Sequence, residues 1–212
     1  VYRSGDNAFH ILNNVLPTTP SPYGFNACSN LSIAASVNSG ILTITFNAAD
    51  GSIPSVTNQI SCAFRDSTIA SGTPVTASVT SALSINTNSV GATLGSSNAT
   101  PFRFWIVLFN NGGTVVPALI NCSKPSQIFP LVEDIPQSTT PIGSGATNAG
   151  IFYTPNGTTV TSSAFRIVGY LSYESGLATA GTYSSVPTNI QLFGPGIKKP
   201  GEVGLVITHV LG

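Results

Sequence analysis

Side chains that could carry out acid–base or nucleophilic chemistry are few and far apart in this chain. The two histidines, His10 and His209, lie near opposite ends, and no Gly-x-Ser-x-Gly turn supplies a nucleophile beside either of them. Glu133 and Asp134 form the one adjacent acidic pair, but neighbours on an extended chain point to opposite faces and make a poor proton-transfer dyad. We therefore predict a solvated loop at this pair, a structural or surface role for each histidine, and no enzymatic activity.

The cysteines and carboxylates show no metal-binding pattern. Cys28, Cys62 and Cys122 include no C-x-x-C pair, and seven acidic residues with no Asp-x-Asp-x-Asp-Gly loop are too sparse for a calcium cage. We expect no metal and no cofactor. For the cysteines we favour buried free thiols that pack as small hydrophobic side chains. One disulfide with one thiol left over is the alternative.

Aromatic side chains offer another kind of site, a platform on which a sugar ring could stack. Trp105 lies within the apolar run FRFWIVLF, which favours a place in the core. Tyr183, in the loop TAGTYSS, is the better candidate for exposure. Together with the only basic pair, Lys198 and Lys199, it is the predicted contact for a glycan or receptor. The five aromatic candidates for the platform are Trp105, Tyr153, Tyr170, Tyr173 and Tyr183.

The overall composition predicts an all-β protein. Only 7% of residues are charged, 42% are hydrophobic, and the hydrophobic residues come in short runs separated by Ser, Thr, Asn, Gly and Pro, which form turns or suit strands. No apolar stretch approaches the roughly 20 residues that span a bilayer. With a formal net charge of zero and a single basic pair, nucleic acid is not an expected partner.

The chain divides into an N-terminal arm and a β domain. Residues 1–24 do not alternate: FHILNNVL could form two helical turns, and PTTPSP favours an extended path. Residues 25–212 carry strand signals at the spacing of an antiparallel β-sandwich, jelly-roll-like in type, with an internal division near residues 90–100 as an alternative. We therefore predict an extended or short-helical arm followed by a sandwich.

Two hairpins and one long strand are the clearest local predictions. Asn38-Ser39-Gly40 separates LSIAASV from ILTITFNA, and Asn-Gly-Gly separates FRFWIVLFN from TVVPALIN. The continuous apolar run FWIVLF indicates burial on both faces, and Pro117 should lie at a bulge or a sheet edge. In FRIVGYLSY, strict alternation places Phe165, Ile167, Gly169, Leu171 and Tyr173 on one face.

Several motifs, in preserved order, resemble a C-terminal module of tailed-phage and prophage virion proteins. They are GATLG, R-x-W-x-x-L-x-N-x-G-G, N-C, Y-x-S-G-L-A-T-A-G-T and Q-L-F-G-P-G, and they fall between Val90 and Glu202. The resemblance implies a surface-exposed β domain of a tail fibre, spike or head-attached protein. It also implies a homotrimer on the phage particle and no catalytic residues.

This resemblance leads to the expectation of a trimeric virion domain that serves assembly or host attachment. Residues 1–24 would contact other virion proteins, and a host surface glycan is a further expected partner. One alternative is a capsid decoration or head-fibre protein anchored by residues 1–24, and another is a lectin-like carbohydrate-binding module. A glycan-cleaving enzyme would need two carboxylates about 5–10 Å apart across a groove, for example Glu133 or Asp134 facing Asp50, Asp66 or Glu174.

Overall fold

The regular structure of this chain is β-strand. A computed structural model describes residues 2–3, 9–10, 28–65, 74–87, 91–122, 133 and 135–193. These residues contain no helix and form antiparallel sheets that make a β-sandwich, which confirms the all-β prediction. Within them there is accordingly no helix long and apolar enough to cross a membrane.

Strands occur throughout the described ranges, and the longest are Phe102–Asn111 with ten residues and Phe165–Tyr173 with nine. In order they are β1 (Tyr2–Arg3), β2 (Phe9–His10), β3 (Cys28–Ser29), β4 (Ser32–Asn38), β5 (Ile41–Asn47), β6 (Ile60–Arg65), β7 (Pro74–Val79), β8 (Leu83–Asn86), β9 (Phe102–Asn111), β10 (Thr114–Asn121), β11 (Thr140–Pro141), β12 (Tyr153–Thr154), β13 (Phe165–Tyr173) and β14 (Asn189–Leu192).

One six-stranded sheet dominates the fold, in the order β11-β12-β10-β9-β13-β14. Its pairs are antiparallel except β11 with β12. Two three-stranded sheets, β3-β6-β7 and β4-β5-β8, supply the second layer. An inner core takes side chains from all three sheets and includes residues from both sides of the stretch 90–100.

Both predicted hairpins are present. Ser39 and Gly40 connect β4 to β5 with φ values of 51° and 79°, and Gly112 and Gly113 connect β9 to β10 with φ values of 59° and 94°. Two consecutive positive φ values are characteristic of the tight turn whose twist matches that of the strands. The turn residues therefore set the register of both strand pairs.

Strand β9 is buried on both faces, as its apolar run predicts. Phe104 and Ile106 belong to the inner core. Val107 and Phe109 belong to an outer core on the opposite face of the large sheet, which Phe152 helps to cover. The alternation of the strand distributes these side chains between the two cores.

The alternation predicted for β13 is wrong beyond Ile167. A β-bulge interrupts the pairing of β13 with β9 between Ile167 and Gly169. Ile167 lies in the outer core, whereas Leu171 lies in the inner core. One extra residue reverses the faces of every later side chain, so Tyr170 comes to lie opposite Trp105.

Pro117 lies in β10 opposite Leu108, in unbroken register, so it is not at a bulge. Thr114 lies opposite Asn111 across the two-residue turn. In an antiparallel pair only every second residue forms hydrogen bonds to the neighbouring strand, so Thr114 and every second residue after it bond to β9. Pro117 falls between them, on the side where β12 pairs with β10 at Leu119 alone among the described residues. Its missing N–H therefore costs no bond to β9.

The cysteines do not form the favoured set of free thiols. Cys28 and Cys62 face each other across β3 and β6 and are joined by a disulfide. Cys122 is a buried free cysteine. The prediction of buried free thiols is therefore wrong for Cys28 and Cys62, and the alternative of one bridge and one leftover thiol is confirmed.

The start of the predicted helical segment is also a strand. Phe9 and His10 pair antiparallel with Tyr2 and Arg3. The predicted helical turns are therefore wrong at these two positions. The rest of residues 1–24 lies outside the described part of the chain.

Candidate functional site

The loops that carry the glycine motifs pack against one another with their backbones in contact. Gly176 has a φ of +69°, and a Cβ there would lie 2.5 Å from the backbone N and O of Thr100. Next to this contact, the backbone N–H of Ala99 donates to the Leu177 carbonyl over 2.7 Å. The N–H of Ala180 donates to Oδ1 of Asn98 over 2.8 Å. The two loops thus approach to backbone contact, which only glycine allows at position 176.

A second set of contacts extends this arrangement. A Cβ at Gly181 would lie 2.9 Å from the Ala92 carbonyl oxygen, and the N–H of Leu94 donates to the Ala146 carbonyl over 2.8 Å. We call residues 91–100, 143–150 and 175–183 the loop platform. Motif residues of GATLG and Y-x-S-G-L-A-T-A-G-T lie inside it and make its contacts, so their visible role is to build the scaffold.

A groove of about 320 Å³ opens at the adjoining ends of β9 and β13. It lies where Arg103 of β9 pairs with Ser172 of β13. Its lining mixes aromatic, charged and small polar side chains, the kind of surface found in small-ligand sites. The residues that line this groove are Pro101, Phe102, Arg103, Trp105, Cys122, Ser172, Tyr173 and Glu174.

Trp105 joins the groove to a cluster of aromatic rings. Its ring meets Tyr170 edge-on, with 5.8 Å between centroids, and lies 6.0 Å from the ring of Phe193. All three rings are only partly buried. The prediction that Trp105 is a core residue is confirmed in part, since it packs against the outer core but also lines the open groove.

Two opposite charges flank the groove. The guanidinium of Arg103 stacks over the Tyr170 ring, 4.2 Å from its centroid, and has no hydrogen-bond acceptor among the described residues. Oε1 of Glu174 accepts hydrogen bonds from Ser172 Oγ at 2.9 Å and Asn189 Nδ2 at 3.2 Å. No described residue donates to Oε2. Each charged group is therefore positioned by the protein while it retains hydrogen-bonding capacity.

Cys122 contributes packing to the groove and not reactivity. Burial raises the pKa of its thiol to about 11, because desolvation disfavours the thiolate. At neutral pH the group is a protonated thiol, and the thiolate that attacks or binds metals is scarce. Among the described residues, no cluster of three or more His, Cys, Asp or Glu side chains could hold a metal ion.

Glu133 does not lie in a solvated loop as predicted. Its side chain is 12% exposed and pairs with Arg166, Oε2 to Nη1, over 2.6 Å. Its Oε1 accepts a hydrogen bond from the N–H of Ile167 over 2.7 Å. Asp134, the other member of the acidic pair, lies outside the described residues.

Asp50 and Glu174, the other acidic candidates that the structure describes, do not line a common groove. Asp50 lies in an exposed turn, where hydrogen bonds from Ser52 and then Asn58 lower the pKa of its carboxyl. Asp66 lies outside the described residues. Of the predicted acids within the described ranges, Glu174 alone lines the groove.

Tyr183 is not the exposed contact that the sequence predicts. It is 1% exposed and packs against Tyr173, with 5.7 Å between ring centroids. Its N–H donates to the Gly40 carbonyl, which ties the loop to the β4–β5 hairpin. Burial, and then the neighbouring Tyr173, raise the pKa of its hydroxyl. The other two predicted contacts, Lys198 and Lys199, lie outside the described residues.

Two of the five aromatic candidates remain available for a stacking platform. Tyr153, Tyr173 and Tyr183 are buried, although Tyr173 also borders the groove, and the partly buried Trp105 and Tyr170 meet beside it. Sequence reasoning missed Arg103 and Ser172, and it named Glu174 only as a carboxylate for a glycan-cleaving enzyme. The alternation of β9 does place Arg103 on the face of Trp105, but Tyr170 and Ser172 of β13 reach that face only through the bulge.

Two tyrosine-to-phenylalanine substitutions should change stability in opposite directions. No acceptor for the Tyr183 hydroxyl lies within reach among the described residues, whereas the Tyr173 hydroxyl donates to the Ser185 carbonyl at 3.0 Å. Removing an unpaired buried hydroxyl relieves a desolvation cost, so Tyr183→Phe should raise the free energy of unfolding by about 1 kcal/mol. Tyr173→Phe should lower it by about 1 kcal/mol. Denaturant titrations of both variants measure the difference; a loss in Tyr183→Phe would show that its hydroxyl has a partner.

No family model, curated protein or solved structure matches this chain. The groove and the loop platform are therefore the features from which a function is inferred.

Proposed function

We propose that this chain is a non-catalytic structural β domain of a bacteriophage virion. It is displayed on the particle surface as a homotrimer and serves assembly or host attachment. The observation that carries the proposal is the role of the motifs behind the virion-module resemblance. GATLG and the S-G-L-A-T-A-G-T segment meet in the loop platform, where Gly176 contacts Thr100 and Gly181 contacts Ala92. Distant motifs that join in one scaffold are expected of a shared module.

The surface supports a role inside an assembly. Ile53 and Val56 are 64% and 80% exposed on one loop. Hydrogen bonds from Ser52 and Asn58 to Asp50 hold that loop in place. Apolar side chains on an ordered loop favour contact with a partner surface. A net charge of zero gives little repulsion between neighbouring copies.

The disulfide supports a location outside the bacterial cytosol. Cys28 and Cys62 are bridged, and such bridges persist in oxidising surroundings and are rare among cytosolic proteins. A protein on the surface of a released particle meets that condition.

Locating the chain on purified particles tests the proposal. Electron cryomicroscopy of phage particles from a host that carries the coding sequence should show the β-sandwich at a tail fibre, a spike or a head fibre. Light scattering on the purified chain should give about three times the 21.7 kDa of one copy. Particles without the chain contradict the virion role, and a monomer in solution contradicts the trimer.

Deleting residues 1–24 distinguishes the decoration-protein alternative. If these residues anchor the domain to a capsid, the shortened chain should fold with unchanged thermal stability and fail to bind particles that lack it. Binding that survives the deletion contradicts an anchor in residues 1–24.

A carbohydrate-binding module is the second candidate function. The observation that favours it is the groove, whose lining includes the aromatic Trp105 and the charged Arg103 and Glu174.

A further inference from the structure

We propose that the groove binds a neutral saccharide, with Trp105 against the sugar ring and Arg103 and Glu174 on its hydroxyl groups. The proposal deepens the attachment function and rests on it only for the source of the saccharide, a glycan on the host surface.

The first argument is the combination of size and aromatic surface. A volume of about 320 Å³ lies at the small end of the range for ligand sites, roughly 300–1,000 Å³, and suits one or two sugar rings. A pyranose presents a flat face of C–H groups, which packs on the face of an aromatic side chain. Trp105 lines the groove and is only partly buried, so part of its indole remains available.

The second argument is the match of hydrogen-bonding groups. A sugar hydroxyl both donates and accepts, so its site needs donors and acceptors close together. Arg103 supplies donors and Glu174 supplies an acceptor at Oε2, neither of them used by another described residue. Bonds that involve a charged partner are the stronger class.

The charges also select against anionic ligands. Arg103 and Glu174 carry opposite charges, and among the described residues no other ionised side chain lines the groove, where the thiol of Cys122 is protonated at neutral pH. A phosphate or an acidic sugar would gain one cation but meet the Glu174 carboxylate. A neutral saccharide meets no such repulsion.

The third argument is that the polar groups are held in place before any ligand arrives. Arg103 and Trp105 lie on β9 directly opposite Ser172 and Tyr170 of β13. The Tyr170 ring supports the guanidinium at 4.2 Å, and Ser172 fixes Oε1 of Glu174 at 2.9 Å. Binding groups on paired strands lose little freedom on binding, which favours affinity.

Trp105 makes the test direct, because it is the only tryptophan in the chain. The full-length protein is titrated with neutral oligosaccharides of glucose, galactose, mannose, rhamnose and N-acetylglucosamine, followed by Trp105 fluorescence and calorimetry. We expect saturable binding of at least one of them with a change in fluorescence. Arg103→Gln and Glu174→Gln should each weaken that binding about tenfold or more, as expected for loss of a charge-assisted hydrogen bond.

A matched control and an acidic probe complete the design. Ile135→Ser removes an exposed apolar side chain that does not line the groove, and it should leave the affinity unchanged. Unaltered thermal unfolding of each variant shows that the fold is intact. The proposal is overturned if no neutral oligosaccharide binds, if both groove variants bind like the original protein, or if polygalacturonate alone binds.

Failure of the groove and failure of the virion role give different results. If the chain binds a neutral saccharide but is missing from phage particles, the saccharide-binding proposal is supported and the virion role is contradicted. If the chain is a trimer on the particle but binds none of the saccharides, the virion role is supported and the saccharide-binding proposal is contradicted.

Discussion

Replacing Gly176 with alanine should lower the free energy of unfolding by more than about 3 kcal/mol. The added methyl group would lie 2.5 Å from the backbone N and O of Thr100, and backbone atoms cannot rotate away as a side chain can. A φ of +69° adds a left-handed penalty of about 1–2 kcal/mol. The loop platform must therefore open before alanine is accommodated. Denaturant titration followed by circular dichroism measures the loss.

Gly157 provides the matched control for this substitution. Its φ is +76°, and a Cβ there meets nothing within 4 Å, so Gly157→Ala isolates the backbone penalty of about 1–2 kcal/mol. The additional loss of unfolding free energy in Gly176→Ala, compared with Gly157→Ala, measures the cost of the contact with Thr100. Equal losses in the two variants would contradict the close approach of the two loops.

Breaking the Cys28–Cys62 disulfide should lower the free energy of unfolding by about 3–4 kcal/mol. The bridge links residues separated by 34 positions, and opening a loop of that length restores conformational entropy to the unfolded chain. Cys28→Ala tests this, since it leaves the core residue Cys62 in place. Denaturant titration without reductant compares the two proteins.

Two measurements show whether the loss comes from the bridge itself. A reductant should destabilise the original protein and leave Cys28→Ala unchanged. A thiol reagent added to the unfolded, unreduced protein should label Cys122 alone, since it is the one free cysteine. Labelling of all three cysteines without reduction would contradict the disulfide.

The groove shows why sequence reasoning located only part of the candidate site. Trp105 and Tyr170 were both candidates for a stacking platform, but strict alternation in β13 places Tyr170 on the face opposite Phe165 and Ile167. The bulge after Ile167 moves Tyr170 and Ser172 to the face that carries Trp105. A glycine inside a strand, such as Gly169, is common at a bulge, but it does not by itself specify one, because a bulge depends on how two distant strands pair.

The burial of Tyr183 and Glu133 also depends on contacts that the local sequence does not show. Tyr183 stands among turn-forming residues, which favours exposure. Docking of its loop on Gly40 and Tyr173 buries it. Glu133 is withdrawn from solvent in the same way, because Arg166 and the N–H of Ile167 lie beside it. These partners are remote in the chain, so no pattern around Tyr183 or Glu133 reports them.

The sequence by itself determined the all-β class, the two hairpins and the double burial of β9. Each depends on local properties: the period-two pattern of strands, the φ preferences of Asn-Ser-Gly and Asn-Gly-Gly turns, and an uninterrupted apolar run. Only the tertiary structure decided the Cys28–Cys62 bridge, the loop platform and the groove with its charges. Those features require particular residues of distant strands and loops to meet, and the register between them is set by packing of the whole sandwich.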